Sequence, residues 1–252
     1  LYKRILDGNL KIEGKTWESK ISGEGASADT WNAASKSMGI FAITRNLRNL
    51  LKHNATDALE HALTSLVSRE KVLRSKMLPF RWYAAYLVLA DVNARVAPTG
   101  YFGYGASKVE AAPQTAYTAK LREALADAIE ISLEGIEKWE GNTTVLVDLS
   151  GSMMTPVSAK SEIKMIEIGA LMGAMAVHIS TTGAEVYGFG QTCKRAVFSR
   201  RNSILDTART IAGMNVGHAT FPHLAIDDLI KRKVKTDRIL LFSDMQCYSS
   251  RY

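Results

Sequence analysis

With 252 residues, the chain has room for one large domain or two modest ones. Its 46% hydrophobic and 23% charged residues are those of a folded protein and exclude a disordered one. The net charge of +7 admits an acidic partner without naming it.

No apolar run has the length of a bilayer span; the longest, Ile163 to Ile179, is interrupted by Lys164, Glu167 and His178. The N-terminal Leu1-Tyr-Lys-Arg has neither an initiator Met nor a signal-peptide apolar region, and reads as the start of a segment of something longer. Cys193 and Cys247 lack the spacing of a zinc site or a disulfide framework, which points to free thiols in a reducing, cytoplasmic compartment.

Residues 30 to 95 predict short helices. Trp31, Met38, Phe41, Ala42, Leu47, Leu50 and Leu51 recur near helical spacing, with Asp29 or Thr30 as N-cap. A second run follows from Ala58 to Val67. Pro79 is placed for the first turn of a third, through Tyr83 and Leu87. Residues 36 to 81 hold nine Lys or Arg against three acids, a balance of +6. Within that segment Arg45, Arg48 and Lys52 share one helix face at spacings of three and four, and Arg74 and Lys76 sit near a helix boundary. Such a stripe can track a phosphate backbone or be an ordinary solvated face. Residues 96 to 114, with Pro98, Gly100, Gly103, Gly105 and Pro113, predict a loop. Ala116 to Trp139 predicts a long amphipathic helix, apolar at Leu121, Leu125, Ile129, Leu133 and Ile136.

Beyond Gly141 the pattern changes to strands alternating with helices. Strand 144–148 leads to a helix over 161–180 that is apolar on nearly every side. Then come Glu185 to Gly190, a strand over Arg195 to Phe198, helices near 203–212 and 223–233, and a strand over 238–243. This order predicts a parallel doubly wound sheet with its ligand site at the carboxyl ends of the strands. The expected domains are 1–140, helical, and 141–252, α/β.

Strand 144–148 ends in Asp148-x-Ser150-x-Ser152, and the last strand ends in Asp244. Between them Gly217-His-Ala-Thr220 presents another hydroxyl. Asp148, Ser150, Ser152, Thr220 and Asp244 thus form a candidate metal set, and hard oxygen donors with few charges suit Mg²⁺ or Mn²⁺. A strand followed by Asp, Ser and Gly is also an ordinary strand–loop–helix junction with Ser as a cap. Ser150 lacks a nucleophile elbow, and the place where a second catalytic carboxylate would stand is Ser150 itself. Enzymatic turnover is therefore not expected. His53, His61, His218 and His223 read as surface, core or loop groups. Trp31, Trp82 and Trp139 read as core, with base stacking as the alternative for Trp82.

The Asp-x-Ser-x-Ser loop resembles the metal-ion-dependent adhesion site of a von Willebrand factor A domain. Met38-Gly-Ile-Phe-Ala-Ile-Thr-Arg45-Asn46-Leu47 and Arg69-Glu-Lys-Val-Leu-Arg74-Ser-Lys-Met-Leu-Pro79-Phe80 resemble the late helical repeats of the TROVE module of the Ro ribonucleoprotein autoantigen family. The resemblance covers roughly residues 28 to 250. It implies HEAT-like helical repeats followed by a Rossmann-like A domain, truncated at both ends, with most of the helical module preceding Leu1. It also implies RNA partners: small Y-type RNAs, and single-stranded ends of defective noncoding RNAs. A protein ligand or an exoribonuclease at the metal site is a further implied partner; a membrane is not. The family often has Gly-Gly-Thr then Asp at the third metal loop, where this chain has His218-Ala219-Thr220-Phe221. Two readings stay open: a Ro-like RNA-binding protein, and a metal-dependent adhesion or adaptor domain without RNA binding.

Overall fold

The computed structural model describes residues 6–7, 16–90, 113, 115–158, 161, 163–199 and 201–247. The expected loop over 96–114 lies almost wholly outside the described residues.

The first part is helical. Helices α1 (Trp17–Glu24), α2 (Ala28–Ser35), α3 (Ile40–Lys52), α4 (Thr56–Leu66), α5 (Arg69–Ser75), α6 (Pro79–Val88) and α7 (Ala116–Glu134) follow in order. Helix α2 is capped by Ser27, whose hydroxyl accepts from the Thr30 amide at 3.1 Å. The cap therefore lies before Asp29 and Thr30, and Thr30 is itself buried. On α3, Ile43, Leu47, Leu50 and Leu51 are buried while Phe41, Arg45 and Lys52 are exposed, the pattern that a helix packed on one side requires. Asn32 of α2 accepts from the Ala58 amide at 3.0 Å, satisfying a free donor in the first turn of α4. Pro79 opens α6, where its missing N–H costs nothing.

Helix α7 starts with a capping box from Thr115 and Thr118. It ends at Glu134, short of the expected Trp139. Gly135 weakens the helix there, and the Trp139 backbone is used otherwise: its N–H donates to Ile179 and its carbonyl accepts from Thr181, both at 2.9 Å.

The second part is a four-stranded sheet of β1 (Thr143–Asp148), β2 (Ala184–Phe189), β3 (Cys193–Arg195) and β4 (Arg238–Phe242), in spatial order β3-β2-β1-β4. Strands β2 and β4 both pair parallel with β1. Strand β3 pairs antiparallel with β2, so the sheet is mixed where an all-parallel one was expected. The chain returns from Phe189 to Cys193 through a turn closed by the Gly190 amide on the Thr192 carbonyl at 2.9 Å. Parallel pairing would need a crossover of a dozen residues or more. The expected strand over Arg195 to Phe198 is correspondingly displaced: the ladder ends at Arg195, and Val197 is exposed.

Helix α8 (Met165–Ile179) lies on one face of the sheet, with α9 (Ile204–Ala212) packed on it; α10 (Pro222–Lys231) covers the other face. Gly169 and Gly173 of α8 allow the close approach. A Cβ at Gly173 would stand 3.1 Å from Val147 Cγ2 and 3.4 Å from Ile211 Cδ1. On the α10 side Leu146, Tyr187 and Phe189 meet Ala225 and Leu229. Burial, and then a hydrogen bond to Glu185, push the Tyr187 phenol up to about 12. One apolar core runs from the helices through α8 and α9, so the two parts share their interior. Among the described residues no helix is long and apolar enough to cross a membrane.

Candidate metal centre and nucleic-acid face

Three loops meet at the carboxyl ends of the parallel strands. Asp148 closes β1 and is fully buried, as is Ser150. Asp148 Oδ1 accepts from the Ser150 amide at 2.9 Å, and Oδ2 accepts from the Ser243 hydroxyl at 2.6 Å. Ser150 Oγ and Ser152 Oγ lie 3.3 Å apart. The Gly151 amide donates to the His218 carbonyl at 2.9 Å, tying the serine loop to the loop that carries buried Thr220. That second loop is in turn fixed to the end of β2. The Phe221 amide donates to the Gly190 carbonyl at 3.1 Å, and Gly217 adopts a φ of +82° where a Cβ would stand 2.5 Å from Gln191 Cβ. The third loop follows β4 and carries Ser243 and Asp244.

Asp244 is half-buried. Its Oδ1 accepts from the Gln246 amide at 3.1 Å, and its Oδ2 is buried with no hydrogen-bond partner. A buried acceptor without a donor costs free energy. Neither aspartate has a cationic side chain at ion-pair distance among the described residues. Two carboxylates without a countercharge among the described residues, an orphaned oxygen and the hydroxyls of Ser150, Ser152, Thr220 and Ser243 on the same three loops are a donor set that fits a hard divalent cation. Among the described residues no cluster of three or more His, Cys, Asp or Glu side chains suited to a metal occurs, so any centre here draws on hydroxyl oxygens.

Ser243 is the residue that the sequence reading missed. It was hidden as the last residue of an expected strand, yet it directly precedes Asp244, and a hydroxyl beside a strand-end aspartate is the signal. His218 and His223 flank Thr220. The ring of His223 stacks obliquely on Phe221, with centroids 5.6 Å apart.

The basic candidates all lie on the helical part. Arg45 is exposed, with its guanidinium carbon 5.6 Å from the Phe41 ring centroid. Arg48 is half-buried and Lys52 exposed on the same helix. Arg74 is in the last turn of α5, and Lys76 caps it in the left-handed conformation at φ +52°. Helix α5 packs against α3, so the two groups belong to neighbouring elements. Arg45, Arg74 and Lys76 have no carboxylate at ion-pair distance among the described residues. Trp82 is fully buried and is a core residue, out of reach of any base.

Comparison with known proteins follows the same division. In fold the chain is similar to the crystal structure of the Deinococcus radiodurans Ro (RSR) protein, with a TM-score of 0.69 and 16% sequence identity over 94% of this chain. The match covers 46% of that protein, so the chain spans less than half of its length. Helices followed by a mixed sheet are thus the shared architecture. No curated protein matches the chain significantly. The family model of the TROVE domain matches residues 9–137, more than half of the chain. The chain belongs to the TROVE domain family.

Proposed function

We propose that this chain is part of a Ro-like ribonucleoprotein that binds RNA through its helical part. The family membership of residues 9–137 is the observation that carries this reading, and the exposed cations of α3 and α5 give it a surface. In this reading residues 1–140 are the late, HEAT-like repeats of the TROVE module and residues 141–252 a doubly wound A domain. Arg45, Arg48, Lys52, Arg74 and Lys76 contact phosphates. The RNAs are small Y-type RNAs and the single-stranded ends of defective noncoding RNAs, and the compartment is the cytoplasm. The test is titration of single-stranded RNA at several salt concentrations with the full-length protein and its Arg45→Gln/Arg48→Gln variant. Each lost phosphate contact lowers the salt slope by about one unit and weakens all sequences alike. Unchanged affinity and slope in a folded variant would reject this face.

A second element of the proposal is a Mg²⁺ or Mn²⁺ centre held by Asp148, Ser150, Ser152, Thr220 and Asp244, supported by the buried Asp148 carboxylate and the orphaned, buried Oδ2 of Asp244. A bound cation would supply an electrophilic position for a carboxylate of a protein ligand, including an exoribonuclease. That chemistry also supports the alternative, an adhesion or adaptor domain without RNA binding, which the same RNA titration distinguishes. No turnover is proposed, because hydroxyls rather than a paired nucleophile and base surround the aspartates.

A further inference from the structure

Where the helical part meets the α/β part, two guanidinium groups converge on one phenol. Tyr86 of α6 is buried, and its phenol oxygen accepts from two guanidinium groups. Arg122 of α7 donates through Nη2 at 2.9 Å and Arg209 of α9 through Nη2 at 2.6 Å. The Arg122 guanidinium also lies over the Tyr86 ring, 4.5 Å from its centroid, and Tyr83 stacks beside Tyr86 at 6.3 Å. One neutral oxygen thus holds two positive charges side by side.

Among the described residues the balancing negative charge is nearly missing. Arg209 has one carboxylate partner among the described residues, Asp206 at 2.9 Å, and that pair is more than half exposed. Arg122 has no carboxylate at ion-pair distance among the described residues, and its Nε is buried without an acceptor. The Tyr86 hydroxyl proton likewise has no acceptor among the described residues. Two like charges pressed together in a partly buried setting repel one another. The arrangement calls for an anion that accepts several hydrogen bonds at once. Guanidinium groups are planar forks that match a phosphate in this way, better than they match a single-point acceptor.

We propose that Arg122, Arg209 and Tyr86 form an oxyanion site for a phosphate group at the seam between the helical part and the α/β part. The residues come from α6, α7 and α9, so an anion bound there joins the two parts of the molecule. The site is separate from the α3 and α5 cations and stands or falls independently of them. A phosphodiester of an RNA strand and a free phosphate share this chemistry, and the experiment separates the two sources.

The measurement is thermal unfolding of the full-length protein against inorganic phosphate at constant ionic strength, repeated with Arg122→Gln, Arg209→Gln and Tyr86→Phe. A ten-nucleotide single-stranded RNA serves as the competing probe. Wild-type protein is expected to gain stability with phosphate, and each arginine variant to bind it about tenfold more weakly or worse, the loss of one charge-assisted hydrogen bond. Tyr86→Phe is expected to retain weakened binding, since both arginines remain. RNA that displaces phosphate, and binds the arginine variants with a salt slope lower by about one unit, identifies a strand phosphate. Phosphate binding that RNA does not displace identifies a free anion. A lower melting temperature without ligand in the variants does not count toward the site, because a structural clamp would give it too. If folded variants respond to phosphate as the wild type does, or if the wild type does not respond, the site is overturned.

Discussion

The carboxylate of Glu130, on the last long helix before the sheet, accepts the backbone N–H of Ile204 at 2.8 Å across 74 residues of sequence. Ile204 is the first residue of α9, so the carboxylate meets a free amide at the positive end of a helix dipole. The α9 N-terminus is capped twice, since Ser203 accepts from the Asp206 amide at 3.1 Å. Replacing Glu130 by Ala is expected to lower unfolding free energy by about 1–2 kcal/mol, the magnitude of a lost charged cap. Glu130→Gln keeps an acceptor and should lose less. Urea unfolding of the three proteins checks the order.

Removing the hydroxyl of Ser243 leaves Asp148 Oδ2 without its donor in a position with no solvent exposure. Ser243→Ala is therefore expected to destabilise metal-free protein by about 1–3 kcal/mol, as a buried acceptor loses its partner. Equal midpoints in chemical denaturation would reject this assignment.

Asp244 gives the opposite sign. Its Oδ2 is buried and unpartnered, so Asp244→Asn should leave metal-free protein as stable as wild type or more so, by relieving an uncompensated charge. The same substitution should abolish the response to Mn²⁺. At ten times the dissociation constant, a cation bound at the proposed centre would stabilise the wild type by about 1.4 kcal/mol, roughly a few degrees in melting temperature for a chain of this size. A Mn²⁺ response retained in Asp244→Asn would take Asp244 out of the ligand set.

The two cysteines should differ in reactivity. Burial first, and then the nearby Asp228 carboxylate, push the Cys193 thiol up to about 11, while Cys247 is exposed. At pH 8 roughly one Cys193 in a thousand is thiolate. Alkylation followed by mass spectrometry should label Cys247 well before Cys193. The raised value also means that the fold favours the protonated thiol. This contribution to stability is complete below the unfolded thiol's range near 9 and fades as pH rises toward 11.

The parts of this fold visible in the sequence are those that depend on runs and periods. Val145, Leu146 and Val147 announced β1 because a strand buried on both faces has no polar alternation to confuse it. Leu121, Leu125, Ile129 and Leu133 announced α7 for the same kind of reason, and all four are buried. Strand β3 was misplaced because its three residues carry no apolar pattern, and a short hairpin is decided by the Gly190–Thr192 turn rather than by composition. The end of α7 departs from the expected Trp139 because the Trp139 backbone is taken by residues near 180, which no local window contains. Asp148, Ser150 and Ser152 stand out from alternation at a strand end, Asp244 from a second apolar run that ends in aspartate, and Thr220 from the Gly217 loop. The Ser243 bond, the orphaned Asp244 oxygen and the Tyr86 arginine pair could not, since each depends on elements far apart in the chain.

The bond between Asp148 and Ser243 spans 95 residues, and a span of that length predicts late closure during folding. Neighbouring helices such as α3 and α4 close short loops and can form early. The strand-end centre requires β4 to reach β1 across the intervening β2, α9 and α10, and such long-range closures are slow. A chain still folding, or one locally unfolded at β4, is therefore expected to hold its basic helices before the strand-end oxygens are assembled. Cation binding followed through a refolding time course would then be the last signal to appear, and would report the completed sheet rather than collapse of the chain.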